Sequence, residues 1–278
     1  MLLTLAKIAA SVAVGLPLIV YLLQEQLIFY PQRLSEPRRA EIARRFPDVQ
    51  EVSLAAADGT RIHAWFVKSL PSQGAPLVVY FGGNAEEVSW MLEAVGDPRI
   101  GATPGVAWLL VDYRGYGGSE GKPSEAALVA DALAVYDFAV ALPGVDQQRI
   151  FAFGRSLGSG VAVQLAAARR LAGLVLAAPY DSLVEVARHY YPFLPVSWML
   201  KHRFESIAHA PRIQVPLLCI VAERDELIPV ERAERLYEAW GGPRRKVALP
   251  GARHNDMDSA PEFWPAIRSF LGGQEAAE

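Results

Sequence analysis

The sequence predicts an α/β fold, with a mostly parallel central sheet and helices on both faces. Three observations carry this. Short continuous apolar runs recur along the chain, as strands buried on both faces of a parallel sheet require. Amphipathic helical patterns separate them, which gives repeated βαβ units. Tight glycine-rich turns follow several of the runs, at positions where open parallel sheets place their ligands.

The elements follow in order. Residues 2–23 form an apolar stretch broken only by Thr4, Lys7, Ser11, Gly15 and Pro17. As a helix rising about 1.5 Å per residue it would reach about 33 Å, enough to cross a hydrocarbon core of about 30 Å. The expectation is an uncleaved N-terminal transmembrane helix over 1–24. A cleaved signal peptide and a buried core helix are the alternatives; against the first, Tyr21-Leu22-Leu23-Gln24-Glu25-Gln26 offers no small-x-small cleavage site. Arg33, Arg38, Arg39, Arg44 and Arg45 follow the stretch, and the positive-inside bias places that side in the cytoplasm. Equally, these arginines suit an ordinary solvated helix over 36–46. Residues 25–48 read as a connecting segment.

An α/β domain is expected over 49–272. Residues 49–54 and 60–67 read as strands, joined by a hairpin turn at Asp58-Gly59. Further strands are expected at 77–81, 106–111, 150–153, 174–178, 217–221 and 246–249. Helices are expected at 85–95, 125–142, 157–170, 231–240 and 261–271. Pro123 and Ser124 mark the start of the second of these. Residues 180–214 break the rhythm with Tyr190-Tyr191-Pro192-Phe193-Leu194-Pro195 and Trp198. This insertion reads as a lid-like wall above a site, or as a helical excursion packed on the core. Residues 273–278 form a short polar tail.

Composition narrows the function. The 278 residues are 52% hydrophobic, with a formal net charge of −3. Nucleic-acid binding is not expected, since it calls for a basic footprint. The lone cysteine, Cys219, sits in the run Leu217-Leu218-Cys219-Ile220-Val221 and reads as a small buried hydrophobe. One cysteine also excludes an intramolecular disulfide and a cysteine-based zinc cluster. No metal and no organic cofactor is expected. The Gly82-Gly83 pair does not extend to a dinucleotide fingerprint, and Gly121-Lys122 lacks the Ser or Thr of a P-loop.

The chemistry is expected where strands end. Gly154-Arg155-Ser156-Leu157-Gly158 follows a predicted strand directly and opens a predicted helix, as a G-x-S-x-G nucleophile elbow requires. Ser156 is therefore the candidate nucleophile. A second match, Gly117-Gly118-Ser119-Glu120-Gly121, lies away from its strand and precedes Lys122-Pro123 rather than a helix. Ser119 is read as part of a glycine loop. A serine hydroxyl needs a base that a third group orients. His254, in the loop between the last strand and the last helix, is the candidate base. Asp225, shortly after the 217–221 strand, is the candidate acid; Glu223, Glu226, Asp256 and Asp258 are its neighbours and rivals. Two backbone N–H groups are expected to hold an oxyanion, those of Leu157 and Asn84. The Gly82-Gly83-Asn84-Ala85 loop also reads as a plain glycine turn.

Together these motifs, with Asp112-Tyr113-Arg114-Gly115-Tyr116, Pro179-Tyr180-Asp181-Ser182-Leu183 and Gly251-Ala252-Arg253-His254-Asn255, resemble the α/β-hydrolase superfamily. The likeness spans nearly the whole chain. It is nearest to a membrane-anchored, single-span serine-hydrolase branch that includes lipid and protein-thioester hydrolases. Two departures stand out: Gly82 replaces the usual histidine before Gly-Asn, and Val221-Ala222-Glu223 replaces a His-Gly pair before the acid. The resemblance implies an α/β-hydrolase fold and hydrolysis of an acyl ester or thioester. A peptidase or amidase on the same fold and a non-catalytic membrane scaffold are the alternatives. Membrane contact is expected through the N-terminal helix, with the catalytic domain on the cytoplasmic side. The oligomeric state is left open.

Overall fold

The computed structural model describes residues 2–69, 74–97, 100–101 and 103–273, and within 2–14 only the side chains of Thr4 and Lys7. The tail from 274 onward lies outside the described residues.

Helix α1 spans Leu2–Ile28 with Pro17 inside it. Among the described residues no helix is long and apolar enough to cross a membrane. The expected transmembrane anchor over 1–24 is therefore not confirmed, and most of its side chains lie outside the described residues. Helix α2, Glu36–Arg45, follows, its N-terminus capped by the Ser35 hydroxyl accepting from the Arg38 N–H.

The core is one eight-stranded sheet. Its strands are β1 (Gln50–Ala55), β2 (Arg61–Val67), β3 (Ala75–Phe81), β4 (Ala107–Val111), β5 (Val145–Arg155), β6 (Gly173–Ala177), β7 (Leu217–Ala222) and β8 (Arg244–Leu249). The spatial order is β1-β2-β4-β3-β5-β6-β7-β8. Strand β2 runs antiparallel to β1 and β4, and the remaining pairs are parallel. The β1–β2 hairpin turns at Gly59, whose φ of +81° a side chain would strain. Strands β3, β4, β6 and β7 are buried along their whole length, which is why they read as unbroken apolar runs.

Helices α3 (Met91–Gly96), α4 (Glu125–Val140), α5 (Leu157–Ala168), α6 (Leu183–Tyr190), α7 (Val196–Met199), α8 (Ser206–His209), α9 (Val230–Ala239) and α10 (Phe263–Leu271) complete the chain. Two apolar clusters cover the sheet, one centred on Leu77, Leu109, Ala152 and Val161, the other on Tyr80, Trp108, Phe153 and Ile267. The sheet is thus packed on both faces.

Two elements differ from expectation. The helix expected from 85 begins later, with a 3-10 turn at Val88–Trp90 before α3. Ala85 takes a left-handed φ of 58°, which ends any helix there. Strand β5 reaches back to Val145, through the polar Asp146-Gln147-Gln148-Arg149, because that end pairs at the protein surface. Cys219 is buried, and burial pushes its thiol up to about 12.

Candidate active site

Parallel strands β3, β5, β7 and β8 send the loops that follow them to one edge of the sheet, so residues far apart in sequence meet there. The turn after β5 carries Ser156. Its backbone sits at φ 50° and ψ −118°, a sparsely populated conformation for a residue with a side chain. The Ser156 N–H donates to the Ala177 carbonyl at 2.9 Å, tying the turn to the end of β6. The bend exists because neighbouring residues are small. A Cβ on Gly158 would run into the Phe81 carbonyl, and one on Gly154 into the Gly158 carbonyl.

The loop after β8 brings His254, which is 5% exposed. Its Nε2 lies 2.9 Å from Ser156 Oγ. On the far side of the ring, Nδ1 lies 2.8 Å from Asp225 Oδ2. Asp225 Oδ1 accepts from the N–H groups of Leu227 at 2.9 Å and Ile228 at 2.7 Å, which fixes the carboxylate. The structure brings these three predicted side chains together. Of the rival acids, Glu226 accepts the His254 backbone N–H at 3.3 Å, and Asp256 accepts the Arg253 N–H at 2.6 Å. Both brace the histidine loop rather than the ring.

The loop after β3 lies against Ser156: a Cβ on Gly83 would stand 3.5 Å from Ser156 Cβ. Among the described residues the backbone N–H groups of Asn84 and Leu157 have no acceptor within the protein. Leu157 opens α5, where the first N–H groups of a helix lack intrahelical partners. The Asn84 side chain is occupied instead, with Oδ1 accepting from the Tyr30 N–H at 2.9 Å and the Tyr116 hydroxyl at 2.8 Å.

One residue escaped the sequence reading. Glu86 is nearly buried, with a side chain 8% exposed. Its carboxylate accepts from the Tyr80 hydroxyl at 2.5 Å, the Gly83 N–H at 2.6 Å and Trp90 Nε1–H at 2.6 Å. The Arg155 guanidinium lies 3.7 Å away and also donates to the His254 carbonyl at 3.2 Å. Glu86 and Arg155 therefore tie together the glycine loop, the serine turn and the histidine loop. The signal available was an acidic pair, Glu86-Glu87, directly after a glycine loop where a helix was expected to be running.

Ser119, in the second G-x-S-x-G match, is fully buried. Its hydroxyl donates to the Asp112 carbonyl at 2.7 Å and accepts the His63 N–H at 2.8 Å. The His63 ring lies between Asp112 at 2.7 Å and Glu51 at 3.0 Å. An aspartate and a histidine thus meet here as well, but with a second carboxylate where the other site has a hydroxyl.

The 180–214 segment holds α6, α7 and α8. Tyr190 at the end of α6 donates its hydroxyl to the Glu226 carbonyl at 2.8 Å, next to Asp225. Phe193 and Trp198 stand out from this segment, 72% and 92% exposed.

Comparison with known proteins gives the family. A family model described as serine aminopeptidase, S33, matches residues 75–208. An uncharacterized protein of Mycobacterium tuberculosis is 36% identical over 272 residues, covering 97% of this chain and 94% of the relative. An Arabidopsis thaliana protein, the α/β hydrolase domain-containing protein WAV2, is 28% identical over 270 residues, 89% of this chain and 87% of its own. The chain belongs to the α/β-hydrolase superfamily. A solved structure, the acetyl xylan esterase from Paenibacillus sp. R4, matches this α/β hydrolase with a TM-score of 0.63 at 19% identity, over 90% of this chain and 98% of the other. At that identity the likeness speaks for the fold alone.

Proposed function

We propose that this α/β hydrolase is a serine hydrolase cleaving a carboxylic ester or thioester of acyl or lipid type. One observation carries the reading: a continuous relay from Ser156 Oγ through the His254 ring to Asp225, at 2.9 and 2.8 Å, on a strained turn. In the proposed reaction the Ser156 oxygen attacks the acyl carbonyl while His254 Nε2 takes its proton. Asp225 accepts from His254 Nδ1–H, holding the tautomer and stabilising the imidazolium. The Asn84 and Leu157 N–H groups receive the negative oxygen, each donor contributing about 3–4 kcal/mol to the transition state. His254 then protonates the departing alkoxide or thiolate, leaving an acyl-serine. Water, deprotonated by the same ring, releases the acid and restores the hydroxyl.

The acyl preference is supported by the aromatic 190–198 segment beside the acid loop and by the exposed Leu18, Ile19, Leu22 and Leu27 of α1. Attachment to a membrane through α1, with the catalytic domain on the cytoplasmic side, belongs to the same proposal. Flotation of the full chain with liposomes tests the attachment. Amide cleavage is the second reading, and the description of the matching family model favours it.

The test is an acyl-chain-length series of oxygen esters, thioesters and anilides with the purified full chain and Ser156→Ala. Ester or thioester turnover and fluorophosphonate labelling, both abolished in Ser156→Ala, are expected. Faster anilide cleavage would select the second reading. Turnover or labelling that survives in Ser156→Ala would overturn both.

A further inference from the structure

The C-terminal end of α1 touches the site's surroundings at two points. Gln24 is buried, 3% exposed. Its Nε2 donates to the Met199 carbonyl at 3.1 Å, and its Oε1 accepts the Lys201 N–H at 2.7 Å. One turn further on, Phe29 is buried edge-on against the His202 ring, centroids 5.0 Å apart. A polar side chain buried on a surface helix and spent on two backbone groups of another segment fixes that helix in one seat.

The second point is the glycine loop. The Tyr30 N–H, just past the helix, donates to Asn84 Oδ1 at 2.9 Å and to the Tyr116 hydroxyl at 3.0 Å. The Tyr116 hydroxyl in turn donates to Asn84 Oδ1 at 2.8 Å, and the Ala85 N–H reaches the same oxygen at 3.0 Å. Tyr116 is fully buried, so it offers a rigid post. The chain after Tyr30 is stitched to the same post: the Gly117 N–H donates to the Gln32 carbonyl at 2.7 Å, and the Leu34 N–H to the Gly117 carbonyl at 3.2 Å.

We propose that Gln24–Tyr30 is a built-in clamp: by seating α1 against the 199–202 segment and holding Asn84 Oδ1, it positions the Asn84 N–H beside Ser156, so that the rate of acyl transfer depends on α1 being seated. The inference rests on the proposed oxyanion role of that N–H. Its physical basis is the tolerance of such sites. A donor must lie within about 0.5 Å of its productive position, and a misplacement of about 1 Å costs about a hundredfold in rate. Glu86 and the Tyr113 hydroxyl hold the backbone of Gly83 and Gly82, whereas at Asn84 itself the side-chain oxygen is held by Tyr30 and Tyr116 from outside the loop. Tyr30, Tyr116 and Asn84 are positioning residues here, acting through the backbone of residue 84. Whatever draws α1 off the domain slackens the loop and slows the chemistry without touching Ser156 or His254.

The test uses the full chain with a short, water-soluble ester, so that delivery of substrate from a lipid phase plays no part. Asn84→Ala and Tyr116→Phe are expected to lower kcat about ten- to a hundredfold, as loop displacement does, with KM close to wild type. Gln24→Ala with Phe29→Ala, remote from Ser156, is expected to lower kcat in the same way. Unchanged kcat in that double variant, with turnover still abolished by Ser156→Ala, would overturn the clamp and leave the serine-hydrolase reading standing. Turnover independent of Ser156 would instead remove the reading on which the clamp rests. If the double variant does not fold, Tyr116→Phe decides, since it removes one oxygen atom: full kcat there overturns the clamp.

Discussion

His254 Nε2 stands 2.9 Å from Ser156 Oγ although 98 residues separate the two in the chain. Nothing local joins them. The serine turn is held by glycines and by the Ala177 carbonyl, the histidine loop by Arg155 and Glu226. The contact therefore reports the sheet: β5 and β8 are three strands apart and must stay in register for it to form.

Asp225→Asn tests whether the third group matters to the ring. The amide retains an acceptor oxygen, but its N–H₂ turned toward Nδ1 favours the wrong tautomer, with the proton on Nε2 facing Ser156. A loss of about 10⁴ in kcat is expected. Because the Leu227 and Ile228 N–H groups still find an oxygen, the melting temperature should move little. Activity assays beside thermal melts check both halves, and a variant with near-normal kcat would remove Asp225 from the proposed reaction.

Gly158→Ala tests the close approach that makes the turn possible. The added methyl meets the Phe81 and Gly82 carbonyls, backbone atoms that cannot swing aside. A destabilisation of about 3 kcal/mol, at the upper end for overpacking, is expected in urea unfolding. Loss of fluorophosphonate labelling should accompany it. A methyl accepted without cost would mean that the start of α5 does not press on the Phe81 and Gly82 carbonyls at the end of β3.

Glu86→Ala leaves three hydrogen-bond donors and the Arg155 guanidinium without their shared acceptor. Breaking a buried charged pair by removing one partner costs about 3–5 kcal/mol, to be read from chemical denaturation. Glu86→Gln keeps an acceptor oxygen and should lose less. Equal losses would mean that the charge facing Arg155 contributes nothing.

Much of this was legible in the sequence because the signals are local. Val78 to Phe81 are apolar in succession because both faces of β3 are covered. Ser156 lies between glycines because strand and helix cross there. The candidate acid and base, Asp225 and His254, could be chosen because each follows a strand. What the sequence hid was tertiary. Glu86 folds inward to Arg155 and Trp90, so a stretch with helical periodicity starts as a turn with Ala85 at φ 58°. Ser119 and Ser156 share one pattern, and only the surroundings separate them: a backbone carbonyl for the first hydroxyl, an imidazole for the second. The length of the apolar stretch over 2–23 suggests a span, whereas the contacts of Gln24 and Phe29 with 199–202 could not be read from it.

His202 gives a pH prediction with a definite sign. Burial holds its imidazole below the ordinary value of 6.5; the Glu25 and Glu125 carboxylates oppose that shift, and Lys201 adds to it. Its Nδ1 accepts the Glu125 N–H at 3.2 Å, a bond that needs the ring nitrogen unprotonated. As pH falls below about 6.5 the unfolded chain takes up this proton first, so stability declines toward the depressed native value and is fully present above 6.5. His202→Gln removes the titration. Thermal melts between pH 5 and 8 should therefore fall more steeply on the acid side for the wild-type chain than for the variant. Parallel slopes would mean that the ring's burial has no hold on the junction between α1 and the 199–202 segment.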